Sequence, residues 1–233
     1  MTSKQPSHTR RLKGPAWSRL QILFEDKDVI VVDKPAGLLT MATDLEKHRT
    51  LYALLYEHVK GRRPPGRLFI VHRLDREASG LLVFAKSEAA KEDLQGQFRD
   101  RHAGRTYLAV VEGQMAQDQC TLQSYLAENA AFRCYLTPDP KKGKWAVTHV
   151  KVLKRASRRT LVEVELETGR KHQIRVHLAD QGYPIVGDPV YGSRTNPIRR
   201  MALHAVRLAF DHPTTGRRME FESPPPPTFM TLV

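Results

Sequence analysis

Cysteine is scarce in this chain. Its 233 residues hold two, Cys120 and Cys134, with no C-x-x-C spacing and no histidine placed to share a metal with them. That argues against a disulfide framework or a zinc site, and a reducing cytoplasm fits. Long apolar runs are missing as well: stretches such as Leu81 to Ala85 fall far short of the ~20 residues a membrane-spanning helix needs. Residues 1–19 contain no acid and no apolar segment, but do carry Lys4, Arg10, Arg11, Lys13 and Arg19. That excludes a secretory signal and leaves a flexible basic arm or an organellar transit peptide.

What is present is an ordinary globular composition with one excess. Hydrophobic residues make up 40% and charged residues 27%, and the length suits one large domain or two small ones. Lys and Arg total 38 against 25 Asp and Glu, a formal net charge of +13. Such a surplus points to a polyanionic partner, most simply nucleic acid, the alternative being a merely cationic soluble protein. Residues 1–19 would serve as an arm on a single folded body spanning 20–233.

QILFEDKDVIVVDKPAG (21–37) predicts two short strands round a polar turn, ended by Pro35 and Gly37. TLYALLYEHV (50–59) sets Leu51, Leu54, Leu55 and Val59 at helical spacing, with Thr50 as N-cap. GRRPPGR (61–67) reads as a loop. FIVHRL (69–74) and LLVFAK (81–86) predict strands on either side of DREASG, and Ser87 caps a helix through about residue 102, with Leu94 and Phe98 on one face. RTYLAVVEG (105–113) is another strand, and 120–150 reads as short hairpin strands broken by PDPKKGK. The clearest hairpin is WAVTHVKVL, the turn KRASRR and TLVEVELE, in which Val162, Val164 and Leu166 oppose Glu163 and Glu165. TGRKHQIRVHLADQG (168–182) is loop and helix with Ile174 and Leu178 inward; MALHAVRLAF and RRMEFES add strands; PPPP (224–227) is a stiff tail. Strands outnumber helices and hairpin-length links join several of them, so the expected class is α+β.

Three stretches could carry chemistry. In HRLDREASG (72–80), Asp75 lies in a loop between apolar strands, flanked by Arg73 and Arg76. Neighbouring guanidinium groups favour an ionised carboxylate, which can act as nucleophile or general base. A structural Asx turn or ion pair is the alternative. In TGRKHQIRVHLADQGYPIVGDPVYG (168–192), Arg170, Lys171 and Arg175 gather at a helix start and its first turns. They could grip phosphates or neutralise a carboxylate, or simply form a solvated basic face. His172 and His177 are five residues apart, about 140° round a helix, so they do not share a metal. Tyr107, in RTYLAVVEG, is either a cross-strand core residue or a base-stacking platform.

Taken in order, these segments resemble the RluA-type pseudouridine synthases. The family's H-R-L-D-x-x-T/S-S-G matches His72, Arg73, Leu74, Asp75, Ser79 and Gly80, with Ala78 where a threonine is usual. Its T-G-R-x-H-Q-I-R-x-H matches Thr168, Gly169, Arg170, His172, Gln173, Ile174, Arg175 and His177. G-D-x-x-Y-G matches Gly187, Asp188, Tyr191 and Gly192, L-H-A matches Leu203 to Ala205, Tyr107 falls on the family's tyrosine strand, and V-V-D-K-P-A-G (31–37) fits as well. The resemblance covers about residues 20–222. It implies the pseudouridine synthase fold, a mostly antiparallel mixed central sheet flanked by helices and loops round a catalytic cleft, in the short form without an S4 domain.

The activity so implied is isomerisation of uridine in ribosomal or transfer RNA. The uracil–ribose bond breaks, the base rotates and it is rejoined through carbon. Asp75 would be the essential carboxylate, paired with Arg175; Tyr107 would stack on the uracil. Arg73 would enter the RNA stack to help extrude the nucleotide, Leu203 would form an apolar wall, and His72, Arg170 and Lys171 would contact substrate. No metal or organic cofactor is implied, and a cytoplasmic monomer is expected. The rival readings are a catalytically silent RNA-binding protein of the same fold, and a hydrolase using Asp75 with Glu77. The latter is a poor arrangement, because glycoside cleavage wants two carboxyls across a sugar.

Overall fold

The computed structural model describes residues 10–11, 20–43, 46, 48–61 and 66–233. Most of the basic arm, and residues 62–65 of the expected loop, lie outside them. The chain gathers into two compact units, one running to Ala103 with Ala209–Ser223, the other holding Gly104–Leu208 and Pro224–Val233.

In the first unit the strands are β1 (Arg10–Arg11), β2 (Gln21–Glu25), β3 (Val29–Lys34), β4 (Phe69–Ile70) and β5 (Ser79–Ala85). β1, β2, β3 and β5 lie side by side, antiparallel, and β4 also pairs with β5. Val29–Val32 and Leu82–Ala85 are all completely buried, which is why both strands read as unbroken apolar runs. Helix α1 (Leu51–Lys60) starts where Thr50 Oγ1 accepts from the Ala53 amide at 3.1 Å, and it buries Leu51, Leu55 and Val59. Helix α2 (Glu88–Arg99) is capped in the same way by Ser87, with Leu94 buried.

Two expectations need correction here. FIVHRL is a strand only at Phe69–Ile70. From the Ile70 carbonyl onward the backbone bonds to side chains instead: Gln95 Nε2 donates to that carbonyl at 3.2 Å, and Thr40 Oγ1 serves both the amide and the carbonyl of Leu74. Helix α2 ends at Arg99 rather than near 102, because Arg101 turns the chain with a left-handed φ of +62°.

The second unit contains β6 (Gly104–Glu112), β7 (Gln119–Glu128), β8 (Cys134–Thr137), β9 (Lys144–Arg155) and β10 (Arg159–Leu166), in the spatial order β6-β10-β9-β7-β8 and antiparallel throughout. Strand β11 (Leu203–Asp211) starts in this unit and ends in the first, where β12 (Arg218–Glu222) pairs with it. The 145–167 hairpin is as expected, with Val162 and Val164 fully buried. Helix α3 (Gln173–Asp180) packs on β8 and β9 with Ile174 and Leu178 inward. The proline tail is anchored rather than free: it leads into α4 (Pro227–Met230), whose Phe229 is fully buried with the Arg200 guanidinium 5.3 Å from its ring.

Candidate active site

Asp75 sits half-buried on the segment 71–78 between β4 and β5. The backbone on both sides of it is clamped. Thr40 Oγ1 donates to the Leu74 carbonyl at 2.8 Å, and the Gly37 amide donates to the Arg76 carbonyl at 2.7 Å. The Lys34 ammonium, fully buried, donates to the carbonyls of Pro35 (3.1 Å), Leu38 (2.7 Å) and Arg76 (3.2 Å). A lysine has three donors and a buried one must place them, so this side chain locks the turn of V-V-D-K-P-A-G to the acid's own loop. Lys34 and Thr40 are positioning residues that the sequence reading did not single out. The available signal was the conspicuous V-V-D-K-P-A-G stretch.

His72 accepts from the Val83 amide through Nε2 at 3.2 Å and rests on Phe98 at 4.6 Å between ring centroids. It therefore orients the loop's entry. Arg73 and Arg76 both point outward, Arg76 with its Nε on the Gly37 carbonyl at 3.2 Å.

In the second unit Tyr107, on β6, is buried at 5% exposure and stands opposite Val164 of β10; Leu203 opens β11 and is buried too. Arg170 and Lys171 precede α3 rather than occupying its first turns, since the helix begins at Gln173. Arg170 is exposed, with Nε on the Trp145 carbonyl at 3.0 Å. Lys171 ion-pairs with Glu128 and donates to the Phe132 carbonyl at 3.0 Å.

Arg175 is no part of a solvated basic face. It is 3% exposed, and its Nε and one Nη donate to the two carboxylate oxygens of Asp188 at 2.7 and 2.9 Å. Its guanidinium lies 4.9 Å from the centre of the Tyr191 ring. Burial pushes the Tyr191 hydroxyl up to about 12, so it stays neutral while accepting from the Cys134 amide at 3.1 Å and meeting His172 Nδ1 at 2.8 Å. Asp188 and Tyr191 thus fix a buried cation in one orientation. The G-D-x-x-Y-G motif displays both residues but not what they hold. Gly187 is required beside them, because at φ +79° a Cβ would meet the Arg200 carbonyl oxygen at 2.3 Å.

The entry to α3 is tied down by polar side chains. His172 takes a left-handed φ of +54° and offers no side-chain cap. Gln173 does the work instead, accepting from the Arg170 amide (3.0 Å) and Thr168 Oγ1 (2.8 Å) and donating to the Val147 carbonyl and Thr148 Oγ1 (both 2.9 Å). His177 lies buried between Thr148 Oγ1 and Ser124 Oγ, each 2.8 Å away. Burial lowers its pKa to about 4 against a weaker opposing pull from Asp180. Because the folded value lies below the unfolded one near 6.5, the neutral ring's contribution is whole above about pH 6.5 and fades as pH falls towards 4. Between pH 7 and 4.5 the wild type is expected to lose roughly 2–3 kcal/mol more than His177→Gln in urea unfolding. Equal losses in the two proteins would remove His177 as the cause.

Among the described residues one group has metal-ligand geometry: Asp26, Asp28 and His212. Hydrogen bonds already account for it. His212 Nδ1 accepts from the amides of Thr214 and Thr215, leaving Nε2 to donate to Asp26 at 2.7 Å, while Thr214 Oγ1 donates to Asp28 at 2.7 Å. The cluster pins two turns of the first unit together.

This fold is that of pseudouridylate synthases. The human protein RNA Pseudouridylate Synthase Domain Containing 1 superposes with a TM-score of 0.73 at 27% identity, over 94% of this chain and 89% of that one. A family model described as RNA pseudouridylate synthase matches residues 28–180, a span that includes Asp75, Tyr107 and Arg175. The Bacillus subtilis protein Uncharacterized RNA pseudouridine synthase YlyB is 42% identical over 221 residues, covering 92% of this chain and 72% of its own length. Ribosomal large subunit pseudouridine synthase D of Pseudomonas aeruginosa is 40% identical over 228 residues, at 92% and 71% coverage. The chain belongs to the RluA-type RNA pseudouridine synthases, which are isomerases. No helix of the described residues is long and apolar enough to cross a membrane.

Proposed function

We propose that this chain converts uridine to pseudouridine in structured RNA, with Asp75 as the essential carboxylate. The observation that carries the assignment is the clamp on its loop: the carbonyls of Leu74 and Arg76, immediately before and after the acid, are held from Thr40, Gly37 and Lys34. A reacting group held that firmly is pre-oriented, which is worth several orders of magnitude when a sugar must be met at a set angle. Arg175, anchored by Asp188, offers a fixed positive charge. Tyr107 stacks on the uracil, Leu203 walls it, and the exposed Arg73 enters the RNA stack as the nucleotide is extruded; His72, Arg170 and Lys171 contact substrate. The reaction is redox-neutral: a bond from ribose to nitrogen is exchanged for one to carbon, one proton leaving that carbon and one reaching nitrogen. No cofactor or metal is called for.

Large-subunit ribosomal RNA is the first candidate substrate, since relatives at about 40% identity carry that name; transfer RNA is the second. We place the enzyme in the cytoplasm as a monomer, in keeping with the free thiols of Cys120 and Cys134. The decisive experiment treats ribosomal and transfer RNA with the pure protein and maps pseudouridine. New pseudouridine at defined positions is expected, and its absence from both RNAs would overturn the reading. Complex formation is expected to be strongly salt-sensitive. With six to eight phosphate contacts, log affinity falls against log salt by about 0.7–0.9 per contact. An affinity unchanged between low and moderate salt would contradict a phosphate-based interface.

A further inference from the structure

Four large aromatic side chains stand exposed among the described residues, Tyr56, Phe132, Tyr135 and Trp145, and the last three fall within fourteen residues of one another. They share the end of the second unit formed by β7, β8 and β9. Strand register sets their directions. Tyr125 pairs with Trp145 on one side, and Ala127, two residues on, pairs with Tyr135 on the other, so Tyr125, Tyr135 and Trp145 share a sheet face. The opposite face carries Leu126, Cys134 and Ala146, which pack with Val176 of α3 and with Tyr191. One face is covered, while the other leaves Tyr135 and Trp145 at 43% and 40% exposure.

Phe132 is stranger still. It is 75% exposed at the β7–β8 loop and sits at a left-handed φ of +57°, a region that bulky residues avoid. The loop enforces it: Asn129 Oδ1 accepts from the amides of Ala131 and Arg133, both at 3.0 Å, and the Phe132 amide donates to the Asn129 carbonyl at 2.9 Å. The Lys171 ammonium lies 5.4 Å from the ring centre. Gly143 seats the next turn, since a Cβ there would meet Thr137 and Tyr125 at 2.7 and 2.8 Å.

The surroundings are cationic. Lys141 and Lys142 stand exposed in the turn before β9, Arg170 bonds the Trp145 carbonyl and Lys171 lies beside Phe132, against Glu128 and Asp139. Both acids are engaged, Glu128 by Lys171 and Asp139 by Lys142 and the Lys141 amide. Exposed aromatics among lysines suit a single-stranded polynucleotide, which offers base faces for stacking and phosphates for the ammonium groups. A protein partner suits the patch less well, because lysine is depleted where proteins meet. A duplex keeps its base faces stacked away.

We propose that Phe132, Tyr135 and Trp145, with the ammonium groups of Lys141 and Lys142, bind an unpaired segment of the RNA, Asp75 lying elsewhere in the chain. This rests on the chain being an RNA pseudouridine synthase and extends it by naming a second place of contact.

The test uses the full chain with Trp17→Phe, leaving Trp145 as the sole tryptophan, and a non-self-complementary mixed-sequence 12-nucleotide RNA as probe. The single strand is expected to quench Trp145 emission, and the same sequence as a duplex is not. Phe132→Ala with Tyr135→Ala and Trp145→Ala, tested in the wild-type background by fluorescence anisotropy of labelled RNA, is expected to weaken binding at least about a hundredfold. Lys141→Gln with Lys142→Gln, both in the exposed turn before β9, is expected to flatten the single-strand salt slope by about 1.4. That second variant decides the matter should the triple variant fold poorly. Triple-variant affinity within threefold of the parent with the fold retained, an unchanged salt slope, or quenching by an acidic protein but not by RNA would each overturn the proposal. Pseudouridine formation by the parent protein reports on the enzymatic reading alone, so the two ideas can fail separately.

Discussion

Asp75→Asn is expected to bind RNA within a few-fold of the wild type and to form no detectable pseudouridine. The substitution keeps the side chain's size and removes only its capacity to ionise. The loop should hold its shape, because Lys34, Thr40 and Gly37 grip it through its backbone carbonyls. Affinity should persist because phosphate contacts supply most of it. Loss of a positioned acid–base group lowers rates by about 10²–10⁴-fold, and loss of a nucleophile by more, so single-turnover conversion should fall by at least about a thousandfold. Mapping pseudouridine after long incubation with excess protein checks the rate, and filter binding checks the affinity. A variant that still converts uridine would strip Asp75 of its role. One that neither binds nor melts like the wild type would show that the loop, not the chemistry, had been lost.

The largest effect on stability is expected at Asp188. Both of its oxygens accept from Arg175, and both residues are nearly inaccessible to water, at 1% and 3% exposure. Asp188→Ala leaves a guanidinium buried without that counter-charge, which typically costs about 3–5 kcal/mol. For a chain of this size that corresponds to a melting temperature lower by roughly 6–20 °C. Arg175→Met combined with Asp188→Leu is expected to recover much of that loss, since a well-packed apolar pair avoids the desolvation of two charges. It should recover no activity, as the fixed cation is gone. Thermal melts of the three proteins with the conversion assay separate these outcomes. A single Asp188→Ala that melts within a degree or two of the wild type would mean that the pair contributes little.

Much of this is legible in the sequence itself, and the reason is local. Thr50 and Ser87 cap their helices as their positions suggested, because capping needs only a hydroxyl three residues before an amide. Val162 and Val164 turned inward because period-two alternation is decided within a strand. The misjudged elements have non-local causes. FIVHRL has the composition of a strand, yet Thr40 and Gln95 supply its backbone partners from 34 and 25 residues away. The proline tail looked free because nothing in PPPP discloses that Phe229 has a buried seat beside Arg200.

The amino-acid order by itself determined the α+β class, the family and the residue types available for the chemistry, since periodicity and motif spacing are properties of neighbouring residues. Only the folded chain decided who holds whom: Arg175 anchored by Asp188 thirteen residues on, Lys34 reaching a carbonyl forty-two residues away, Phe132 forced outward by its own loop. A buried charge or an unmet donor takes whatever partner the fold brings within about 3 Å, and chain separation carries no record of that meeting.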